Sequence, residues 1–382
     1  ITSYGIFCFH MHLTHDDKWT AFDRITGWHD LFLKASWSEK ARKNMSTNPY
    51  HKPVTIRDVA RLAGVSPITA SRALSKSHLV KAATRKKVEV AANELKFISN
   101  SAAGSLSNRR SNMVGIIVPT LSNAIFADTI QSITSSLMPE GFQALVGSNE
   151  YCPQREEDII RTFISHRADA LILTGHTHTQ AAEEMIAQYM IPTVEIWNIS
   201  DKSKHICVGM SNYQAAFEMT SFLISRGYKN IGYIGGILEN NDRSQDRMRG
   251  YQKAIERCGW SVDPSMMRES AYEFASGAAA MHSLLTKSRN LDCVFASSDI
   301  LAFGALMECR RNDIRIPHDI ALAGFDNTSI GAIHKPALTT ISVPWQRIGL
   351  KAAEIALRLI RGEAGINKIN DLGFDLKVRD TA

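Results

Sequence analysis

The side chains whose types and spacing could do chemistry together are Thr55, Ser66, Thr69, Ser71 and Arg72, all within TIRDVARLAGVSPITASR at 55–72. Short hydroxyl side chains near helix N-termini suit contacts to phosphate oxygens. The guanidinium of Arg72 can pair with a guanine edge or a phosphate. Ile68, beside Pro67, has no donor, but it can read a thymine methyl by contact; its alternative is a place in a small core. No comparable set points to catalysis. There is no GxGxxG after the first strand, no P-loop and no GxSxG elbow. IGYIGG (231–236) lacks a third glycine and a suitably placed acid, and His176-Thr177-His178 lacks the HExxH kind of metal spacing. Neither an enzyme, a metal ion nor a cofactor is expected.

Those residues need helices to aim them. Thr55 with Asp58 forms a capping-box-like start, and Ile56, Val59, Ala60 and Ala63 recur at helical spacing. Gly64 suits the left-handed residue that ends a helix, and Ser66-Pro67 suits the start of the next. Helix, short turn, helix is the geometry of a helix-turn-helix, though the pattern alone also fits a plain helical hairpin. A third helix is expected at about 83–95, with Val88, Ala91, Ala92 and Leu95 inward and Arg85, Lys86 and Lys87 outward. Val59, Leu62, Val65, Ala70, Leu74 and Val88 would make the core. Charge separates the two readings. From His51 to Arg110 twelve Lys and Arg face three acids, a local +9 in a chain of net +6, which leaves the remainder at −3. Basicity concentrated on a helix-turn-helix is the footprint of phosphate-backbone binding.

At 382 residues the chain predicts two or three domains, and 44% hydrophobic with 21% charged residues fits a soluble globular protein. Six scattered cysteines without metal or redox spacing suit reduced thiols in the cytoplasm. No apolar run approaches the roughly 18 residues of a membrane span, so no membrane partner is expected. Residues 1–50 read as an extension: they carry Trp19, Trp28 and Trp37 but no sustained periodicity. Translated upstream sequence ahead of Met45, or an added partner-binding segment, would explain it. Residues 51–98 form the headpiece and the small, polar, basic 99–111 a linker. From 112 apolar strands alternate with amphipathic helices, beginning with MVGIIVP (113–119), which predicts doubly wound α/β structure. Two such sets give a first lobe at about 112–205 and 345–372 and a second at about 206–341. A ligand cleft is expected at the carboxyl ends of the strands.

Taken together, TIRDVARLAGVS…TASR, IVPTLSN, RMRGY (247–251), FASSDILAFGAL (295–306), IALAGFDN (320–327) and LTTISVP (338–344) resemble the lactose/galactose repressor (LacI/GalR) family of bacterial transcription regulators. The likeness runs from about Val54 to the end. It implies an all-α helix-turn-helix headpiece plus an α/β bilobed, periplasmic-binding-protein-like effector domain. LILTGHTHT (171–179), VGMSNYQAAFEMT (208–220) and DLGFDL (371–376) look most like the gluconate-type repressors.

The resemblance assigns base selection to Pro67 and Ile68, and a DNA contact to Arg72. It makes 99–111 a hinge that becomes helical on the operator, with Leu106 wedged into the minor groove and Asn100 beside it. Ser99 stands where the family usually has Pro. It also implies a homodimer on a palindromic double-stranded operator of about 14–18 base pairs. A sugar or sugar-acid effector such as gluconate would sit against Asn123, Phe126, Asn198, Arg243, Arg247, Tyr272, Ser298, Asp299 and Asp326. Arg247 could instead be a surface charge, and Asp326-Asn327 ordinary turn chemistry. Ser211 and Ser298 depart from the family's usual Asp and Asn. A solute-binding protein or an enzyme on the same bilobed fold is the competing class, but neither accounts for the basic headpiece.

Overall fold

The computed structural model of the protein describes residues 54–75, 79–98, 110–287 and 290–382. The expected N-terminal extension, and Asn100 and Leu106 of the expected hinge, lie outside those residues. The chain separates into two compact units, up to Asn100 and from Ser101.

The first unit holds α1 (Ile56–Ala63), α2 (Pro67–Ser75) and α3 (Ala82–Glu94). Asp58 reaches back to start α1, its Oδ2 accepting from the Thr55 amide at 3.0 Å and the Thr55 hydroxyl at 2.6 Å. Gly64 ends it at φ 67°, where its amide and that of Val65 return to the carbonyls of Arg61 and Ala60. A side chain at Gly64 would incur the left-handed penalty of roughly 1–2 kcal/mol. Ser66 opens α2 by accepting from the Thr69 amide at 3.1 Å. Val59, Ala60, Ala70, Ala73, Val88, Ala91 and Ala92 are buried, and this mostly small-residue set brings the three helices close together. Leu62, expected in the core, is instead 48% exposed. The inward stripe of α1 runs through Ile56, Val59, Ala60 and Ala63, and Leu62 falls off its edge.

The second unit builds its first sheet from β1 (Met113–Val118), β2 (Gln143–Ser148), β3 (Ala170–Thr174), β4 (Thr193–Ile196) and β5 (Ile206–Gly209), with α4 (Ala124–Leu137), α5 (Pro153–Ser165) and α6 (Gln180–Gln188) between them. The second sheet takes β6 (Ile231–Gly235), β7 (Met267–Glu269), β8 (Cys293–Ala296), β9 (Ala321–Asp326) and β10 (Thr339–Ser342). Its helices are α7 (Asn212–Ser225), α8 (Asp242–Arg257), α9 (Phe274–Lys287), α10 (Asp299–Arg311) and the short α11 (Ser329–Ile333). Then α12 (Trp345–Ile360) packs on α4 and the first sheet before β11 (Ile369–Asp371) joins that sheet and β12 (Asp375–Lys377) the second. The orders are β11-β5-β4-β3-β1-β2 and β12-β10-β9-β8-β6-β7, parallel except for β12 against β10. Near-continuous buried strands such as Ala170–Thr174 are what a sheet covered on both faces requires.

Two differences from the sequence reading matter, the placement of Ile206–Gly209 and the course of the chain beyond 372. Ile206–Gly209 pairs with β4 and belongs to the first lobe, not to the start of the second. A loop rather than a helix joins β4 to β5, so the strand–helix alternation misplaces it. Helix α8 begins at Asp242, capped by Asn241, which puts Arg243 and Arg247 one turn apart on a single helix. Beyond 372 the chain returns to the second lobe, where the Thr381 hydroxyl accepts from the Thr339 amide at 2.8 Å.

Candidate functional site

On the headpiece, the sequence-selected residues gather at the open end of α2. Ser66 and Thr69 hydroxyls lie 2.8 Å apart, and Thr55 is exposed at the start of α1. Pro67, Ser71 and Arg72 are exposed, and Ile68 is 64% exposed, so it is not a packed core residue. Among the described residues Arg72 makes no ion pair, which leaves its guanidinium available for a base edge or phosphate.

In the second unit, residues at or beyond the carboxyl ends of β1, β2, β4, β6, β7, β8 and β9 converge on a single cavity between the lobes. Asn123 and Phe126 follow β1, Tyr151 follows β2 and Trp197 follows β4; Arg243, Arg247, Tyr272, Ser298 and Asp326 face them from the second lobe. Seven of the nine effector residues selected from the sequence therefore line one space. The cavity measures about 20 Å³, room for roughly one water molecule, so a larger ligand needs its walls to move apart. Tyr151 and Tyr272 stack across it, centroids 5.7 Å apart.

The electrostatics inside are unusual. Arg247 is buried: its Nε donates to Asn212 Oδ1 at 2.8 Å and its Nη1 to the Ser297 carbonyl at 2.7 Å, and the guanidinium sits 3.9 Å over the Phe325 ring. A surface charge is thereby excluded. Asp326 is 1% exposed, accepts from the Ser298 hydroxyl at 2.8 Å through Oδ2, and leaves Oδ1 without a partner. Burial pushes its pKa up to about 7 against the pull of Arg247, with neighbouring Asp299 adding to the rise. Trp197 contributes the complementary orphan, an indole Nε1 with no acceptor. An unmatched donor and acceptor in one cavity is a costly arrangement that a ligand with hydroxyls or a carboxylate would relieve. Tyr151, Trp197 and Asp326 also adopt positive φ (59°, 79° and 120°), strain of about 1–3 kcal/mol each of the kind that clusters at ligand sites.

Two of the selected residues do not face the cavity. Asn198 donates through Nδ2 to Asp242 (2.8 Å) and Asp246 (2.9 Å) on α8 and accepts from Asn212 (3.1 Å), so its amide is spent on joining the lobes. His176 Nδ1 lies 3.1 Å from Asp242 in the same contact. Gly175, at φ 82°, sits so close to Asp242 and Arg243 that a Cβ there would collide with both. Asp299 is turned inward, where it accepts from the Thr328 amide and hydroxyl and the Thr340 hydroxyl at 2.7–2.9 Å, fixing the loop after β9. Sequence reasoning missed Tyr151, Trp197, Ile125 and Asn241 in the lining. Each lies just beyond a strand's carboxyl end or in the following helix start, and that position was the available signal.

Residues 55–100 match the family of bacterial regulatory proteins, lacI family, and residues 220–382 match the periplasmic binding protein-like domain. Over 325 residues the chain is 36% identical to the HTH-type transcriptional regulator GntR of Escherichia coli (strain K12), covering 85% of this chain and 97% of that one. The chain belongs to the LacI family. It is similar to the crystal structure of a LacI family transcriptional regulator from Silicibacter pomeroyi (TM-score 0.80, 33% identity, 86% of this chain and 99% of that). It is also similar to a lac repressor dimer bound to operator and the anti-inducer ONPF (TM-score 0.76, 26% identity, 86% and 99%). As a LacI-family member it is a DNA-binding transcriptional regulator, and its relatives are named as regulators rather than enzymes.

Proposed function

We propose that this LacI-family protein is a homodimeric, cytoplasmic repressor whose operator affinity is set by a sugar acid of the gluconate type bound between the lobes. The observation that carries the effector class is the pairing of Arg243 and Arg247 with the orphaned Trp197 Nε1 and Asp326 Oδ1 around one cavity. Arg243 is already paired with Asp242 at 2.8 Å, whereas Arg247 has no carboxylate partner among the described residues, so its guanidinium favours a ligand carboxylate, and the unmatched donor and acceptor favour hydroxyls. Likeness to regulators named GntR supports the same class, and likeness to the lac repressor dimer supports the dimer.

On this reading residues 51–98 read the operator, with Thr55, Ser66, Thr69 and Ser71 on phosphates and Pro67, Ile68 and Arg72 on bases. Residues 99–111 form the hinge, in which Asn100 and Leu106 meet the minor groove. The effector makes contact with Asn123, Phe126, Tyr272 and Ser298 as well as with the charged pair. It fixes a lobe geometry that the operator-bound dimer disfavours, a coupling of about 1–3 kcal/mol, and the operator is released. The test is a thermal-shift screen of gluconate, idonate and neutral sugars on the full chain, followed by operator-release titration with each hit. Stabilisation by the acids and release by the same acids is expected. Stabilisation by neutral sugars alone would remove the sugar-acid assignment.

A further inference from the structure

Outside the cleft, the first lobe brings three potential metal ligands to one place, with a second histidine beside one of them. His178 lies in the loop after β3, Glu183 in the first turn of α6, Glu195 in the middle of β4 and His205 immediately before β5. Donor atoms of His178, Glu183 and Glu195 fall within 4.8 Å of one another. His205 Nε2 lies 3.3 Å from Glu183 Oε2, and His178 Nε2 lies 3.5 Å from Glu195 Oε1. Both imidazole Nε2 atoms are buried and have no hydrogen-bond partner, and the His178 side chain is only 1% exposed.

We propose that His178, Glu183 and Glu195 form a three-ligand binding site for a zinc-class divalent transition-metal ion, with a position left for water. The separations support it. With metal–ligand bonds of about 2.0–2.2 Å, the donors of a tetrahedral ion stand about 3.4 Å apart, which the 3.5 Å between His178 Nε2 and Glu195 Oε1 matches. Supporting contacts are already in place. Glu156 Oε1 is 2.5 Å from His178 Nδ1, the carboxylate–histidine arrangement that fixes the tautomer and aims Nε2 at a metal. The Ser203 hydroxyl donates to Glu195 Oε2 at 2.6 Å, leaving Oε1 directed at the site. An imidazole with two carboxylates suits zinc better than it suits calcium or magnesium, which take all-oxygen shells. A cavity of about 720 Å³ lined by His176, His178, Glu183, Glu195 and Lys204 gives an ion access. Lys204 Nζ, 3.6 Å from Glu183 on a 70% exposed side chain, is the competing cation and has solvent to move into.

The rival arrangement is a metal-free buried ion pair. Burial pulls the His178 pKa down, and Glu156 and Glu195 more than reverse this, raising it to about 10. That accounts for His178 between two glutamates. It does not account for Glu183, whose carboxylate falls within 4.8 Å of the His178 and Glu195 donors.

The experiment is equilibrium dialysis of the chelator-stripped full chain against zinc, comparing wild type with Glu183→Gln and Glu183→Ala. The Glu183 side chain is only partly buried (16% exposed), and far-ultraviolet circular dichroism shows whether each variant folds. Because His10, His12 and His15 lie in the same chain, the reading is the difference between proteins rather than the total. Wild type should hold one more zinc per chain than either variant, with affinity at that site lower by tenfold or more in both. Zinc should also raise the thermal midpoint of the wild type and not of the variants. Equal zinc content and equal thermal shift in all three proteins would overturn the proposal and leave the ion pair.

Discussion

The headpiece and the cleft handle polar groups in opposite ways. On α2 the working residues stand in solvent: Ile68 is 64% exposed, Arg72 has no ion-pair partner among the described residues, and the core beneath is made of alanines and valines. In the cleft they are sealed: Arg247 is 5%, Asp326 1% and Ser298 1% exposed. Function and stability are therefore separable in the first region and entangled in the second. An exposed side chain removed from α2 takes nothing from the fold, whereas a charge removed from the cleft strands its partner in a low-dielectric interior.

The strongest way to break that contrast is at Arg247. Arg247→Ala removes the cation beside buried Asp326 and the donor to Asn212 and Ser297, so a loss of about 3–5 kcal/mol in unfolding free energy is expected, along with loss of effector response. Chemical denaturation of the full chain measures it. A change below about 1 kcal/mol would show that the cleft charges are not interdependent. The matching substitution on the headpiece is Arg72→Ala. It should weaken operator binding by about 1–3 kcal/mol while leaving the melting temperature unchanged. Fluorescence anisotropy with an operator duplex, alongside a thermal melt, tests both halves. A drop in stability would place Arg72 in the fold rather than on the reading face.

A subtler effect follows from the pKa of Asp326, which burial raises from its usual 3.8 to about 7. The folded protein then holds this proton more tightly than the unfolded chain, so the group's contribution to stability falls as pH rises between about 4 and 7. The same proton bears on ligand charge. A sugar-acid carboxylate is tolerated beside Asp326 while that residue is protonated, so its affinity should fall by about tenfold from pH 6 to pH 8. Asp326→Asn, neutral at every pH, should flatten the profile, and calorimetry with gluconate at three pH values decides. An unchanged slope in the variant would assign the titration elsewhere.

The contrast also explains what could be read from the sequence. The headpiece was legible because its signals are local: Thr55-Asp58, Gly64 and Ser66-Pro67 fix two helices within a few residues. The doubly wound lobes were legible because buried parallel strands leave long apolar runs. Ile206–Gly209 was misplaced because its partner strand, not its own pattern, decides its sheet. In the cleft, Asn198 and Asp299 are the right residue types in the right loops, yet Asp242, Asp246, Thr328 and Thr340 claim their polar atoms from elsewhere in the chain. Tyr151 and Trp197 carried no motif at all. The His178 cluster escaped for the same reason, since its members stand at 178, 183 and 195 on separate elements, and no short spacing rule joins them.

The smallest effect sharpens the comparison most, because it isolates one contact on the exposed side. If Ile68 reads a thymine methyl, Ile68→Ala should cost about 1 kcal/mol in operator affinity, on the scale of one or two methylene groups withdrawn from contact, with no change in melting temperature. Replacing the contacted thymine by uracil removes the methyl from the other side. Either change alone should weaken binding, and the second should then cost little once the first has been made. That non-additivity would belong to the methyl contact alone, since neither change touches a hydrogen bond or a phosphate. Fully additive losses at every thymine of the operator would mean that Ile68 acts through the shape of α2, and that specificity rests on Arg72 and the geometry of the DNA.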